Sequence, residues 1–485
     1  MRSDKPIAAF VFGFGFMRAW ALTLLSTSGV VMPLSMLTEG TIKVLAPVFL
    51  ATMAVSTWMS MRGKADLMSH KALVVMAATA MGGSLLLCVG ERSTLFVGDA
   101  LAGVSFGLFI MQWGLASSFV SHRRLVSSLV LGFVWASALC LAAAFMPTAV
   151  RVALFVAYAP ASAACLRLLS PHVAGAEPHR LDFSALGSGA IAQSRWQGGG
   201  RDLLIRLVVA MFTIELVARS ALMLSGEYCT RELGFPSWSF EMARLLGTVV
   251  SAGLFYGLIR RTKSPLRTLN ALVPATLVCS CLFLHFGGMG MPWVTYAIAF
   301  TAGAWLETVY WVFFSHSCTT VGKPPVLVWA AGRAAFWLST FVGVALWSAQ
   351  ASVWVGGIVS DNAALTTLVV LMALGIVLVH TLILPTEQIA QISVMRDREL
   401  ERRAAFQDIE TTAAAIAERA GLSPREREIF LMLAHGRDTA YVQEKLVISQ
   451  GTVRSHRDRI YRKLGIHSKQ ELLDLVEREF SASSH

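Results

Sequence analysis

Five ionisable residues stand inside otherwise apolar stretches of this 485-residue sequence: Arg18, Glu215, Arg219, Glu307 and Arg333. A charge near a bilayer centre costs about 2.5–3.5 kcal/mol on insertion scales, so such residues face partners or a cavity. Three guanidiniums against two carboxylates favour an anionic ligand group, because arginine clamps carboxylate or phosphate through paired donors. Glu215 and Arg219, four apart on one helix face, can also pair with each other. Two readings therefore stand side by side: ion pairs that fix helix packing, and a small-molecule pocket that shares the same residues. Phe12, Phe14, Phe16, Trp20, Trp305 and Trp311 could wall such a pocket, and Asp99 opens its own apolar stretch. No Ser/His/Asp constellation, metal-ligand spacing or phosphate loop is evident. The seven cysteines lack paired spacing, and His70, His122 and His285 are scattered. No catalytic residue, metal or cofactor is expected.

A second chemistry sits near the other end. Residues 449–464 hold five Lys+Arg and one Asp, a net +4. Val453, Ile460 and Leu464, spaced by seven and four, turn one helix face inward and leave Arg454, Ser455, Asp458, Arg459 and Arg462 outward. A local basic face of this kind suits the phosphates of double-stranded DNA, where released counterions drive affinity.

Short helices must position that face. Ser423-Pro424-Arg425-Glu426 reads as a capping box with Pro at the first helical position, and Gly436 closes the helix after Ile429, Phe430 and Leu433. Asp438 caps a second helix carrying Val442 and Leu446, Ser449 a third closed by Gly465, and Ser468 with Glu471 a fourth. Four short helices with a tight link between the second and third make a helix-turn-helix unit. Upstream, residues 386–420 read as a helical linker, where Phe406, Ile409, Ala413, Ile416 and Ala420 form a short seam. That seam suits either pairing with another helix or packing on the next domain.

The rest of the chain follows a different rule. Hydrophobic residues make up 55% and charged ones 15% overall, and charge is unevenly placed. The last 100 residues hold 16 Lys+Arg and 16 Asp+Glu, so residues 1–385 hold 41−16 = 25 and 30−16 = 14. The excess of +11 thus belongs wholly to the apolar part. Twelve stretches there are long enough to span about 30 Å of hydrocarbon: 7–28, 41–61, 72–90, 95–119, 126–146, 150–169, 203–224, 242–259, 269–287, 291–314, 326–349 and 363–384. The first carries Arg18 mid-span and has no small-residue cleavage site after it, so it reads as a span and not as a cleaved signal. With the N-terminus inside, inner segments carry fifteen Lys+Arg and outer loops three, which predicts a cytoplasmic (inner) membrane protein with both termini in the cytoplasm. The Gly-, Ser- and Ala-rich loop 170–202 divides the spans into two sixes. A faint repeat at an offset of about 200 relates Ala102-Gly103 to Ala302-Gly303 and Trp135 to Trp337.

The 6+6 arrangement over residues 7–384 resembles the major facilitator superfamily. Gly63-Lys64-Ala65-Asp66 followed by Lys71 looks like an incomplete form of that family's loop between spans two and three. The resemblance implies that spans one, four, seven and ten line a central cavity, and each of them carries a charge here. The series from Leu422-Ser423-Pro424-Arg425-Glu426 through Ile448-Ser449-x-x-Thr452-Val453-Arg454-x-His456 to Lys463-Leu464-Gly465 resembles the LuxR/GerE DNA-binding domain. It implies that Arg454 and Ser455 read base edges, that Thr452, His456 and Lys463 approach phosphates, and that the fourth helix pairs two copies on DNA as a homodimer. Gln443 replaces the family's usual alanine. Asp458 and Arg459 sit on the outward face, where an acidic group can accept from cytosine. Gly451 weakens its helix by about 0.5–1 kcal/mol relative to Ala.

The expected fold is all-α: a polytopic membrane bundle of twelve transmembrane helices (1–385), a helical linker (386–420) and a four-helix LuxR-type domain (421–485). The expected function is a membrane-bound one-component transcription regulator that senses an unidentified small molecule, anionic in part. The alternative is a facilitator-type transporter with a regulatory DNA-binding tail.

Overall fold

The structure is a computed structural model describing residues 4–24, 44–89, 91–174, 204–218, 237–261, 292–317, 323–346, 370–377 and 412–483, with isolated positions between. The chain divides into two compact units, Met1–Arg396 and Asp397–His485. No strand occurs among the described residues.

The first unit contains α1 (Asp4–Leu24), α2 (Ala46–Met61), α3 (His70–Val89), α4 (Arg92–Ser117), α5 (His122–Ala144), α6 (Thr148–Ala174), α7 (Ser237–Arg261), α8 (Pro292–His316) and α9 (Pro325–Leu346). Residues 204–218 are also helical. Among the described residues, six helices are long and apolar enough to cross a membrane: Pro6–Leu24, His70–Val89, Ser93–Ser117, Arg124–Ala144, Thr148–Leu169 and Pro325–Gly343. A helix of 20 residues rises about 30 Å, which matches the hydrocarbon thickness. Expected spans nine and twelve, and loop 170–202 beyond Ala174, lie mostly outside the described residues.

Within the first half, α1 packs on α5 and α6, α3 on α4 and α6, and α2 on α4. Among the described residues, two of the seams that join this half to the second are related to each other. Span two (α2) packs on span eleven (α9), and span five (α5) on span eight (α7). Moving every span by six turns the first seam into the second, as an internal two-fold repeat requires. Ala102 and Ala302, related by the offset of 200, are both fully buried.

The seam between α4, α8 and α9 is closed by tryptophans. The Trp311 indole donates to Ser117 Oγ at 2.6 Å, and Ser117 Oγ donates to the Trp113 carbonyl at 2.7 Å. Trp329 donates to the Ile110 carbonyl at 2.7 Å. Its ring lies where any side chain at Gly114 would project, so glycine is what admits the indole between α4 and α9. Trp113 completes the first half by donating to Ser162 Oγ at 3.0 Å, and Ser162 donates to the Gly13 carbonyl at 2.8 Å. These three indole N–H groups are thus satisfied away from water.

The second unit contains α10 (Pro424–Ala434), α11 (Thr439–Leu446), α12 (Gln450–Leu464) and α13 (Lys469–Ser483), preceded by a helical turn region at 412–419. Ile429, Phe430, Leu433, Val442, Val453, Ile460, Leu472 and Val476 form its core. Ala413, Ile416 and Ala417 are buried in the same core. The part of the upstream seam that the structure describes is therefore packed on its own domain, while Phe406 and Ile409 lie outside the described residues.

Gly114→Ala places a methyl group on the Trp329 ring. Overpacking of this kind costs about 1–3 kcal/mol, so the purified protein melts several degrees lower. Adding Trp329→Ala restores room but not the wild-type melting temperature, because the indole bond to Ile110 is gone. A melt of Gly114→Ala equal to wild type shows that the seam is looser than this packing.

Candidate functional site

Three of the five intramembrane charges meet at one point between the halves. Arg18 on α1 forms an ion pair with Glu307 on α8 through Nη2 and Oε2. Arg333 on α9 donates Nη2 to Glu307 Oε1 at 3.1 Å. One carboxylate is shared by two guanidiniums, one from each half. Glu215 is adjacent through α9: its Oε1 accepts from Thr340 Oγ1 at 3.5 Å, a long contact. Arg219, expected to pair with Glu215, lies outside the described residues.

Arg333 has an unusual environment. Its side chain is fully buried, and its guanidinium lies 4.4 Å from the Trp311 ring centroid, 4.5 Å from Phe336 and 5.5 Å from Trp329. Aromatic faces stabilise a cation electrostatically without accepting its hydrogen bonds. Nε and Nη1 have no hydrogen-bond partner among the described residues. Arg18 lies 5.3 Å over Phe133. Phe14 stacks edge-on against Trp113, Phe133 and Trp311 and lines the same region. Trp20 instead donates to Ser84 Oγ at 2.9 Å and belongs to the packing of the first half. Phe12 is exposed. Asp99 is buried in α4.

In the second unit each capping residue acts as its type requires. Ser423 Oγ accepts from Glu426 N at 3.3 Å, while Glu426 Oε2 accepts from Ser423 N at 2.9 Å, a complete capping box. Asp438 accepts from Tyr441 N at 2.8 Å, and Ser449 from Thr452 N at 3.2 Å. Glu471 N donates to Ser468 Oγ at 3.1 Å, and Glu471 accepts from His467 N at 2.9 Å. Between α11 and α12, Val447 takes a left-handed φ of 51°, which makes the tight turn.

On α12, Arg454, Ser455, Asp458, Arg459 and Arg462 are exposed and Val453 and Ile460 fully buried, as the spacing requires. Thr452 is exposed and bonded to Ser449, and His456 is half-buried. Lys463 is placed differently from a phosphate-facing residue. Its Nζ donates to Glu426 Oε2 at 2.8 Å and to the Gly421 carbonyl at 3.0 Å, tying α12 to the start of α10. The Asp458 carboxylate accepts from Arg457 Nε and Nη2 at 3.0 and 2.8 Å, so part of its acceptor capacity is already used. Two of the five cations thus have carboxylate partners within the domain. Arg454, Arg459 and Arg462 make no ion pair among the described residues and carry the outward charge.

Glu426 is the residue whose second role the spacing did not reveal. The Lys463 ammonium and the Ser423 amide hold its carboxyl down at about 2, from an ordinary 4.5. Its pairing with Lys463 crosses 37 positions, beyond the reach of any helical periodicity.

Residues 420–476 match the family described as "Bacterial regulatory proteins, luxR family". The first unit is similar in fold to solved membrane transporters. The human organic anion transporter MFSD10 (TETRAN) superposes with a TM-score of 0.51 at 15% identity, covering 78% of this chain and all of that one. A bacterial homologue of the iron transporter ferroportin, outward-facing with soaked iron, has a TM-score of 0.51 at 16% identity, covering 82% and 100%. The major facilitator proton:xylose symporter XylE has 0.50 at 13%, covering 78% and 94%. No curated protein matches the chain. The architecture is therefore a multi-pass membrane domain of the major facilitator fold joined to a LuxR-type helix-turn-helix DNA-binding domain.

Because the Glu426 carboxyl is held below its unfolded value, its contribution to stability is fully present above about pH 4.5 and lost as pH falls towards 2. Glu426→Gln should remove that acid-side slope and cost about 1.5–3 kcal/mol at neutral pH through the charge-assisted bonds. Unfolding of residues 397–485 followed by circular dichroism at several pH values measures both. A wild-type slope retained by Glu426→Gln contradicts the assignment.

Proposed function

We propose that the chain is a membrane-bound one-component transcription regulator. A small molecule with an anionic group binds between the six-helix halves at Arg18, Glu307 and Arg333, and its occupancy alters DNA binding by the C-terminal domain. The observation that carries this reading is Arg333, whose buried Nε and Nη1 lack any described acceptor while aromatic rings hold the guanidinium in place. A carboxylate or phosphate supplies the missing acceptor. Arg18 and Arg333 share the single carboxylate of Glu307 at the inter-half point, with Glu215 close by. Arg219, four residues beyond Glu215 in the sequence, is the further candidate for the same ligand that residue type alone offers.

Both termini lie in the cytoplasm and the membrane is the inner one, on the strength of fifteen inner against three outer Lys+Arg. The DNA-binding domain then faces the chromosome. Arg454 and Ser455 read base edges in the major groove, with Asp458 beside them. Thr452, His456, Arg459 and Lys463 face the phosphates, Lys463 by exchanging its partner Glu426. α13 pairs two copies on adjacent half-sites. The domain works without catalysis.

The test is a thermal-shift series on the purified full chain with a panel of small carboxylates and phosphates. At least one raises the wild-type melting temperature by several degrees at saturating excess, as binding to the native state alone requires, and Arg333→Gln abolishes that shift. A panel with no effect, or an equal shift in Arg333→Gln, contradicts the assignment.

A further inference from the structure

Three of the four glycines in the C-terminal unit have a reason within the fold. Gly421, Gly436 and Gly465 stand at φ of +60°, +75° and +67°, left-handed conformations that glycine adopts without strain. Gly451 does not. Its backbone is ordinary helix in the first turn of α12, and a Cβ built on it meets only Ser449 Oγ, at 3.8 Å. That is normal van der Waals contact, so alanine fits without moving an atom. Alanine is also the better helix former. Nothing in the domain gains from glycine at this position.

Its surroundings say what does. At about 100° per residue, Gly451, Arg454, Ser455, Asp458 and Arg462 fall within one arc of about 100°, with Gly451 near the middle. All five are exposed. Val453 and Ile460, fully buried, mark the opposite side. The bare position therefore lies at the centre of the face that carries Arg454 and Arg462, which make no ion pair among the described residues. A face with side chains all round meets a partner at side-chain length, whereas a gap at its centre lets the helix backbone come closer.

We infer that Gly451 is a specificity-determining position for duplex DNA. Its missing side chain lets the first turn of α12 press against a base edge or deoxyribose in the groove, and any Cβ holds the helix off. This inference rests on the DNA-binding reading of the domain. It also explains why the chain keeps a poor helix former in the first turn of its recognition helix.

The experiment uses the full chain in lipid nanodiscs. A duplex is first selected from a random-sequence pool by the wild-type protein, and its affinity is then measured for wild type, Gly451→Ala and Gly451→Ser beside their melting temperatures. Both variants should melt at or above the wild-type temperature and bind the selected duplex about tenfold or more weakly. Binding of Gly451→Ala within about twofold of wild type overturns the inference. So does a joint loss of melting temperature and binding, since that is a structural role. If the wild type selects no duplex, the DNA-binding reading itself fails and the inference with it.

Discussion

The membrane unit depends on the Arg18–Glu307 ion pair, which joins its two halves inside an apolar bundle. Leaving either charge alone there is expensive, and breaking a buried pair by removing one partner costs about 3–5 kcal/mol. Everything around the pair serves to keep it supplied. Arg333 holds the second oxygen of Glu307, and Trp311 and Phe336 hold Arg333. Trp311 is in turn anchored on Ser117. Gly114 gives Trp329 its place against α4. A chain of contacts, hydrogen bonds at its ends and a cation–π contact at Arg333 and Trp311, thus runs from the charged point to the α4 seam.

The C-terminal unit solves a related problem with less burial. Glu426 closes a capping box and accepts from Lys463, so one carboxylate both caps the start of α10 and ties α12 to it. The formal charge of residues 449–464, which include α12, is +4. Lys463 and Arg457 have carboxylate partners, which leaves three outward arginines. The exposed face of α12 is therefore sparser in charge than composition implies.

Local features were legible in the sequence because they are local. Caps at Ser423, Asp438, Ser449 and Ser468 follow from residue types three apart, and the spans from apolar runs of membrane length. The inward row Val453 and Ile460 follows from helical period. What was not legible is pairing across the fold. Arg18 with Glu307, Trp311 with Ser117 across 194 positions and Lys463 with Glu426 leave no periodic trace. The row from Phe406 was ambiguous for the same reason: small residues suit a helix partner and a domain core equally, and Ala413, Ile416 and Ala417 go to the core. The charges in spans one and ten signalled that something had to meet them, though not that they would meet each other.

The most direct measurement of this account is a double-mutant cycle on Arg18 and Glu307, read as thermal unfolding of the full chain in a fixed detergent. If the pair joins the halves, Arg18→Ala and Glu307→Ala each destabilise strongly, and the double variant loses less than the sum, with a coupling of about 1–3 kcal/mol. Strictly additive losses, or single variants that unfold like wild type, contradict it.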